Sequence, residues 1–219
     1  MSDHLVPLAM QCPHCGAALT PQAGQRECRC GYCQAEVPLP APGGPVYRAP
    51  PPPSALSTAI GRNDVERLRA LLEAGADPNA TVERYGLAKS LLFRAIEEAI
   101  AHESSEAVLL LLEYGADPNM TLGPANMPMM HAAAIAGVAE IATGLLKYGA
   151  SPDVRDGWGK TPLHNANSPA VVEILVRAGA DVNARDHKGR TPLQSAKEWR
   201  NKPVIEALKR CGARGGIFW

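Results

Sequence analysis

Aromatic residues make up only 5% of this 219-residue chain, and its formal net charge is zero, 22 basic residues against 22 acidic ones. The charge balance removes any general attraction to nucleic acid or anionic lipid. No apolar run approaches the ~18 residues of a membrane span, so no membrane association is expected. The first residues, MSDHLVPLAM, lack the basic start and apolar stretch of a secretory signal. No serine, cysteine or carboxylate pair stands at a spacing that suggests a nucleophile or an acid–base couple, so no enzyme is expected.

What the chain does have begins with its thiols. Of six cysteines, five fall within residues 12–33, and Cys211 lies near the C-terminus. Clustered Cys-x-x-Cys in a chain without a signal points to metal in a reducing compartment, and a cytoplasmic location is expected. Cys12 and Cys15 form one pair, Cys30 and Cys33 another, each able to present two thiolates from one tight turn. A residue with positive φ is favoured after the second cysteine of such a turn. Gly16 supplies it in the first turn and Gln34 stands there in the second. Cys28 precedes Cys30 by two residues, so in a strand both would point to the same face. Pairing Cys28 with Cys33 requires a wider loop, which leaves Cys28 as a neighbouring free thiol or an alternate ligand. The segment CPHCGAALTPQAGQRECRCGYCQAEV resembles the zinc-ribbon family. That resemblance implies a small module, residues 1–38, holding one structural Zn2+ on Cys12, Cys15, Cys30 and Cys33. Four thiolates fill the tetrahedron and leave no open catalytic position.

From residue 38 to 53 half of the positions are proline, which excludes helix and central strand. Residues 39–53 are expected to form a polyproline linker, hinged at Gly43–Gly44. The four prolines from Pro50 to Pro53, with Arg48 nearby, also suit a proline-reading domain.

The remainder repeats itself. GADPN at 75–79 recurs at 115–119, as GASPD at 149–153, as GADVN at 179–183 and as CGA at 211–213. Before each comes an apolar helical segment (RLRALLEAG, VLLLLEYG, IATGLLKYG, VVEILVRAG, VIEALKRCG), and farther back a second, opening SALSTA, SLLFRA, PMMHAA, TPLHNA or TPLQSA. Thr161 and Thr191 suit helix caps with Pro162 and Pro192 in the first turn, and Leu163 and Leu193 then enter the core. Asp64 is placed to open the outer helix of the first repeat. Gly75, Gly115, Gly149, Gly179 and Gly212 stand where a helix ends in the left-handed region. No unit of this size covers its own apolar faces, so stacking must supply the core.

These segments, GKTPLHNA and GRTPLQSA above all, resemble the ankyrin-repeat family. The fold class is therefore mostly α: a solenoid of helix-turn-helix repeats with hairpin loops, five of them in residues 54–219 with a C-terminal tail, preceded by the zinc ribbon. Departures carry expectations too. The inner helix of the second repeat, or the turn after it, should be longer, around AIEEAIAHESSE, and the inner helix of the fourth clipped at NANSP. The third repeat, with Gly144 inside its outer helix and Pro128-Met129 at its opening, should be the softest interior one.

The resemblance implies a concave surface of hairpin tips and inner helices that binds other proteins, hence a non-enzymatic adaptor or scaffold with the ribbon as a second contact module. On that frame Trp158 in DGWGKT falls at a tip, and Met127 precedes an inner helix, matching Lys160 and Arg190. Met120, Met127, Met129 and Met130 form a thioether group suited to an adaptable contact, with Met130 aligned to a core leucine. Trp199 either meets a partner or covers the open end of the stack. His131 and His164 align with the family's inner-helix histidine, which links neighbouring repeats. Residues 54–153 carry a net charge of −6 and residues 154–219 of +6. Such polarity steers a partner or favours salt-sensitive head-to-tail self-association. A second reading makes the chain a nucleic-acid-associated regulator acting through the ribbon, but residues 1–53 hold only Arg26, Arg29 and Arg48 against Asp3, Glu27 and Glu36. The tail GGIFW either caps the last repeat or docks elsewhere.

Replacing Cys30 with serine is expected to abolish zinc retention, while Cys28→Ser leaves one metal per chain. Metal content of the two purified variants decides it, and the reverse result would select the other register.

Overall fold

The computed structural model describes residues 10–11, 18–19, 27–29, 34, 36–38, 50–84, 87–122 and 127–214. The four expected zinc ligands, the proline-rich residues 39–49 and the tail 215–219 lie outside the described residues.

Two short antiparallel ladders belong to the N-terminal part. β1 (Met10–Gln11) pairs with β2 (Ala18–Leu19), and β3 (Glu27–Arg29) with β4 (Glu36–Pro38). Cys12 and Cys15 fall in sequence between β1 and β2, and Cys30 and Cys33 between β3 and β4. Cys28 sits within β3 itself, its backbone opposite Val37. Gln34 has φ +61°, so the position after the second pair adopts the left-handed backbone that the turn was expected to need.

From residue 53 onward the chain alternates between two rows of helices. α1 (Pro53–Gly61) is followed by α2 (Val65–Glu73), then by the hairpin of β5 (Thr81–Arg84) and β6 (Leu87–Ser90). Next come α3 (Leu91–His102), α4 (Glu106–Glu113), a second hairpin of β7 (Thr121–Leu122) and β8 (Met127–Pro128), α5 (Met129–Ala136) and α6 (Ala139–Lys147). A single 3-10 turn (Pro162–Asn165) then precedes α7 (Pro169–Arg177), and α8 (Pro192–Glu198) and α9 (Lys202–Arg210) close the described part. The inner row packs in the order α1, α3, α5, 3-10 turn, α8, and the outer row in the order α2, α4, α6, α7, α9. Each inner element also packs on the outer helix that follows it.

The core between the rows is one continuous apolar layer from Leu56 to Leu208. Leu68, Leu91, Val108, Leu111, Ile141, Leu145, Val171, Leu175 and Val204 are completely buried within it. A buried leucine stabilises by roughly 1.5–3 kcal/mol, and all of these side chains belong to the one shared layer. Helix starts follow the expected chemistry. Asp64 Oδ1 accepts from Arg67 N at 3.0 Å, and Thr191 Oγ1 accepts from Gln194 N. Gly75, Gly115, Gly149, Gly179 and Gly212 all take φ between +87° and +97°, where a side chain would add strain.

The two expected length changes are present. α3 runs 12 residues and ends on Glu103 at φ +51°, while the fourth inner element is only the four-residue 3-10 turn. Gly144 has a packing reason that its sequence position concealed. A Cβ there would lie 2.5 Å from Leu109 Cδ2 of α4, so the glycine lets α6 approach α4 closely, and the buried residue serves packing rather than local softness.

Polar ties run between repeats beside the core. Asn79 Oδ1 accepts from Asp117 N at 2.7 Å and its Nδ2 donates to the Gly115 carbonyl. Asn119 Nδ2 donates to the Gly149 carbonyl, Asp153 accepts from Asp181 N, and Asn183 Oδ1 accepts from Arg214 N. The last residue of each GADPN-type turn thus binds the turn of the next repeat. In the inner row, His131 Nε2 donates to the Lys160 carbonyl and His164 Nε2 to the Arg190 carbonyl, both at 2.9 Å. Thr161 sets the second tautomer: its N–H donates to His164 Nδ1, and its hydroxyl lies 2.9 Å from the same nitrogen. In the third repeat Pro128 has neither N–H nor hydroxyl, and His131 Nδ1 is buried with no hydrogen-bond partner. An orphaned acceptor of this kind costs about 1–3 kcal/mol.

Burial lowers the pKa of both imidazoles, and the carbonyl bonds to Lys160 and Arg190 only partly oppose it. The folded state therefore holds them neutral, whereas the unfolded chain protonates them near 6.5. Their contribution is full above the unfolded value and is lost as pH falls below it. The urea midpoint of the stack, followed by circular dichroism, should drop between about pH 7.5 and about pH 5.5. A His164→Gln variant, which copies Gln194 at the same place in the last repeat, should show a shallower drop.

Candidate functional site

The fourth and fifth repeats begin with equivalent tight turns. Asp156 N donates to the Lys160 carbonyl and Asp186 N to the Arg190 carbonyl, each at 3.0 Å. Inside each turn the aspartate carboxylate is buried and accepts backbone N–H groups. Asp156 Oδ1 takes those of Trp158 and Lys160, and Asp186 Oδ1 those of Lys188 and Arg190. Burial alone would raise the Asp186 pKa, but the backbone and guanidinium bonds from Arg190 and the Lys188 N–H outweigh it and hold the carboxyl below its ordinary range. The two turns are joined. His187 N donates to the Trp158 carbonyl, and Arg155 Nη1 to the carbonyls of Gly159 and Arg185.

This frame leaves the side chains of Trp158, His187 and Lys188 on its outside. Trp158 is 58% exposed, as expected of an indole at a tip with no core to enter. With Lys160, Asp186, His187, Lys188 and Arg190 it lines a cleft of about 250 Å³. Gly159, at φ +71°, is close against His187, and a Cβ there would run into the imidazole. A larger recess, about 450 Å³, lies at the opposite end of the stack between α1 and α2. Its one carboxylate, Asp64, is engaged in capping α2.

In the second and fifth repeats the residue two places before the inner helix pairs with the residue eight positions on. Lys89 Nζ meets Glu97 at 2.7 Å, and Arg190 Nη1 meets Glu198 at 3.0 Å. In the third repeat the same two positions hold Met127 and Ile135, the latter 46% exposed. An apolar step therefore follows the ion-paired second repeat. In the fourth repeat the inner helix is clipped, so the eighth residue after Lys160 is Ser168 and no carboxylate faces the ammonium. Lys160 Nζ lies instead 5.8 Å from the centre of the Trp199 ring, a distance at which a cation is attracted to the indole face.

The expected contact residues are thus placed unequally. Trp158 stands free at a tip. Trp199, just after α8, is 50% exposed and lies beneath Lys160. Met127 is only partly accessible and packs on the core, as does Met120. Met129 and Met130 are fully buried, so the expected four-residue thioether group reduces at the surface to Met120 and Met127. Sequence reasoning missed Ile135 and Ile100, the latter 55% exposed in the extended α3, and it missed the meeting of Lys160 with Trp199. The eight-residue spacing of Lys89 with Glu97 was the available signal for Ile135. Among the described residues no group of three or more histidines, cysteines or carboxylates is disposed to hold a metal, and no helix is long and apolar enough to cross a membrane.

A two-row stack with hydrogen-bonded turn ladders and an outward-facing set of tips defines a repeat protein built around a contact surface. The chain belongs to the ankyrin-repeat family: residues 124–217 match the family model for ankyrin repeats, with 3 copies. It is similar to the human cyclin-dependent kinase 4 inhibitor B, 42% identical over 108 residues that span 49% of this chain and 72% of that protein. The rat protein of the same name is 42% identical over 110 residues, 50% of this chain and 78% of its own length.

Replacing Asp186 with alanine removes a buried acceptor of three bonds and should lower stability by about 2–4 kcal/mol, measured by urea unfolding. Asp156→Ala, which has no guanidinium partner to strand, should lower it by less.

Proposed function

We propose that the chain is a non-catalytic adaptor whose inner-row face, from the Met127–Ile135 step to Trp158 and Trp199, grips a protein partner. The observation that carries this reading is the exposure of two tryptophans and two isoleucines on a frame built from buried leucines and alanines and from hydrogen-bonded turns. Exposed indoles beside a cleft are the kind of anchor that dominates protein recognition. The similarity to proteins named as inhibitors of a cyclin-dependent kinase makes a protein kinase one partner class to test.

A structural zinc ribbon in residues 1–38 is the second element of the proposal. Two observations support it: each Cys-x-x-Cys falls between a pair of antiparallel strands, and Gln34 takes the left-handed backbone suited to a knuckle. With Cys12, Cys15, Cys30 and Cys33 as ligands the ion would supply folding energy, and the thiolates require a reducing location such as the cytoplasm. Cys28, within β3, is the neighbouring thiol of this assignment. The ribbon then serves as a second contact or assembly point.

Affinity capture with the full chain beside a Trp158→Ala, Met127→Ala variant tests the first part. A protein retained by the intact chain should lose at least about tenfold in retention with the variant. Equal retention by both would remove the inner-row face from recognition.

A further inference from the structure

We propose that the cleft between the fourth and fifth tips receives carboxylate side chains from an acidic, apolar-flanked segment of the partner, with Lys160 and Lys188 as its cationic contacts, Trp158 as its wall and Trp199 beside it beneath Lys160. This rests on the reading that the inner-row face binds a protein, and it specifies the chemistry of what is bound.

The charge arrangement around the cleft selects the occupant. The carboxylates at hand are Asp156, Asp186 and Glu198, and Asp156 is buried and held by the backbone N–H groups of Trp158 and Lys160. Asp186 is buried and engaged by two backbone N–H groups and by Arg190, whose guanidinium lies 2.8 Å away. Glu198 is paired with the same Arg190 at 3.0 Å. Lys160 and Lys188 have no carboxylate partner among the described residues, and His187 is exposed beside them. The position that pairs Lys89 with Glu97 and Arg190 with Glu198 is Ser168 for Lys160, because the fourth inner element is one 3-10 turn long. Two lysines thus line one cleft of about 250 Å³, with their local counter-charges already occupied. A ligand carboxylate there would gain two charge-assisted contacts in a partly desolvated setting.

The indoles fix the rest of the segment. Trp158 and Trp199 are half or more exposed, and Lys160 lies over the second indole. Apolar side chains flanking the acid would cover these rings and deepen the desolvation of the charges. A long polyanion fits poorly. Residues 54–153 carry net −6 against +6 in residues 154–219, so a nucleic-acid strand tracking along the stack would leave attraction for repulsion within two repeats. A short acidic stretch of protein, confined to the last two repeats, meets only the favourable half.

The test uses the full chain and a fluorescein-labelled glutamate-rich peptide with a central phenylalanine, read by anisotropy. Its glutamine-substituted counterpart and a single-stranded oligouridylate serve as competing probes. The acidic peptide should bind most tightly and weaken as salt rises. Lys160→Glu with Lys188→Glu should weaken it by about tenfold or more, while Lys202→Glu with Lys209→Glu, an equal charge change on exposed positions of the outer helix α9, should leave it unchanged. All variants should keep the parent's circular dichroism. Equal binding of the glutamine peptide, preference for the oligouridylate, or equal loss from the α9 variant would each overturn the proposal. So would a mass that rises with protein concentration and falls with Lys160→Glu, which would give the cleft to a second copy of the chain. If a protein captured by the intact chain is lost with Trp158→Ala, Met127→Ala but fully kept by the charge-reversed cleft, the acidic segment is wrong while protein recognition stands. If the peptide binds as expected but capture does not respond to Trp158→Ala, Met127→Ala, the broader inner-row face fails and the cleft remains.

Discussion

A helix pair of some thirty residues has apolar flanks on both sides and water on only one terms with them: each flank must be covered by a neighbour. Everything else in this stack answers to that constraint. Leu91 of one inner helix, Val108 and Leu111 of its outer partner and Ile141 of the next outer helix belong to a single buried layer. Because burial fixes the spacing of the helices, it also fixes where each turn projects. The tips at Asp156–Lys160 and Asp186–Arg190 are held side by side as a result, and a carboxylate is buried in each to satisfy the tight backbone.

The clipped fourth repeat shows how a shortened element changes the surroundings of a charge. With the inner helix reduced to one 3-10 turn, Ser168 stands where the paired repeats place the carboxylate that meets their cation. The ammonium consequently reaches the Trp199 ring rather than a glutamate. The gap in the helix is bridged without loss of register. Asn167 N donates to the Ala134 carbonyl, and Asn201 Nδ2 donates to Asn167 Oδ1 at 3.1 Å, so one asparagine connects three consecutive repeats.

Much of this was legible in the residues. The GADPN-type turns located five positive-φ glycines, and the altered lengths at AIEEAIAHESSE and NANSP foretold the long α3 and the single 3-10 turn. Trp158 could be placed at a tip because a polar, glycine-flanked turn gives an indole nowhere to hide. What escaped were contacts between residues distant in sequence. Gly144 read as a weak point in a helix, since local propensity carries no record of Leu109 pressing from α4. Met129 read as part of an adaptable thioether contact, yet, beside the Pro128 that replaces the usual threonine, it is fully buried. The orphaned His131 Nδ1 follows from the same replacement, visible only when the two histidine environments are set beside each other.

The ties that run through His131, His164, Asn79, Asn119, Asn183 and Asn201 involve neutral groups meeting carbonyls and amides at short range. Ionic strength leaves such bonds almost untouched, whereas it shortens the reach of the lysines at the tips. On the proposed mode of binding, the molecule's rigidity and its grip answer to different properties of the solvent, and a change in electrolyte would release a bound acidic chain while these neutral ties persist.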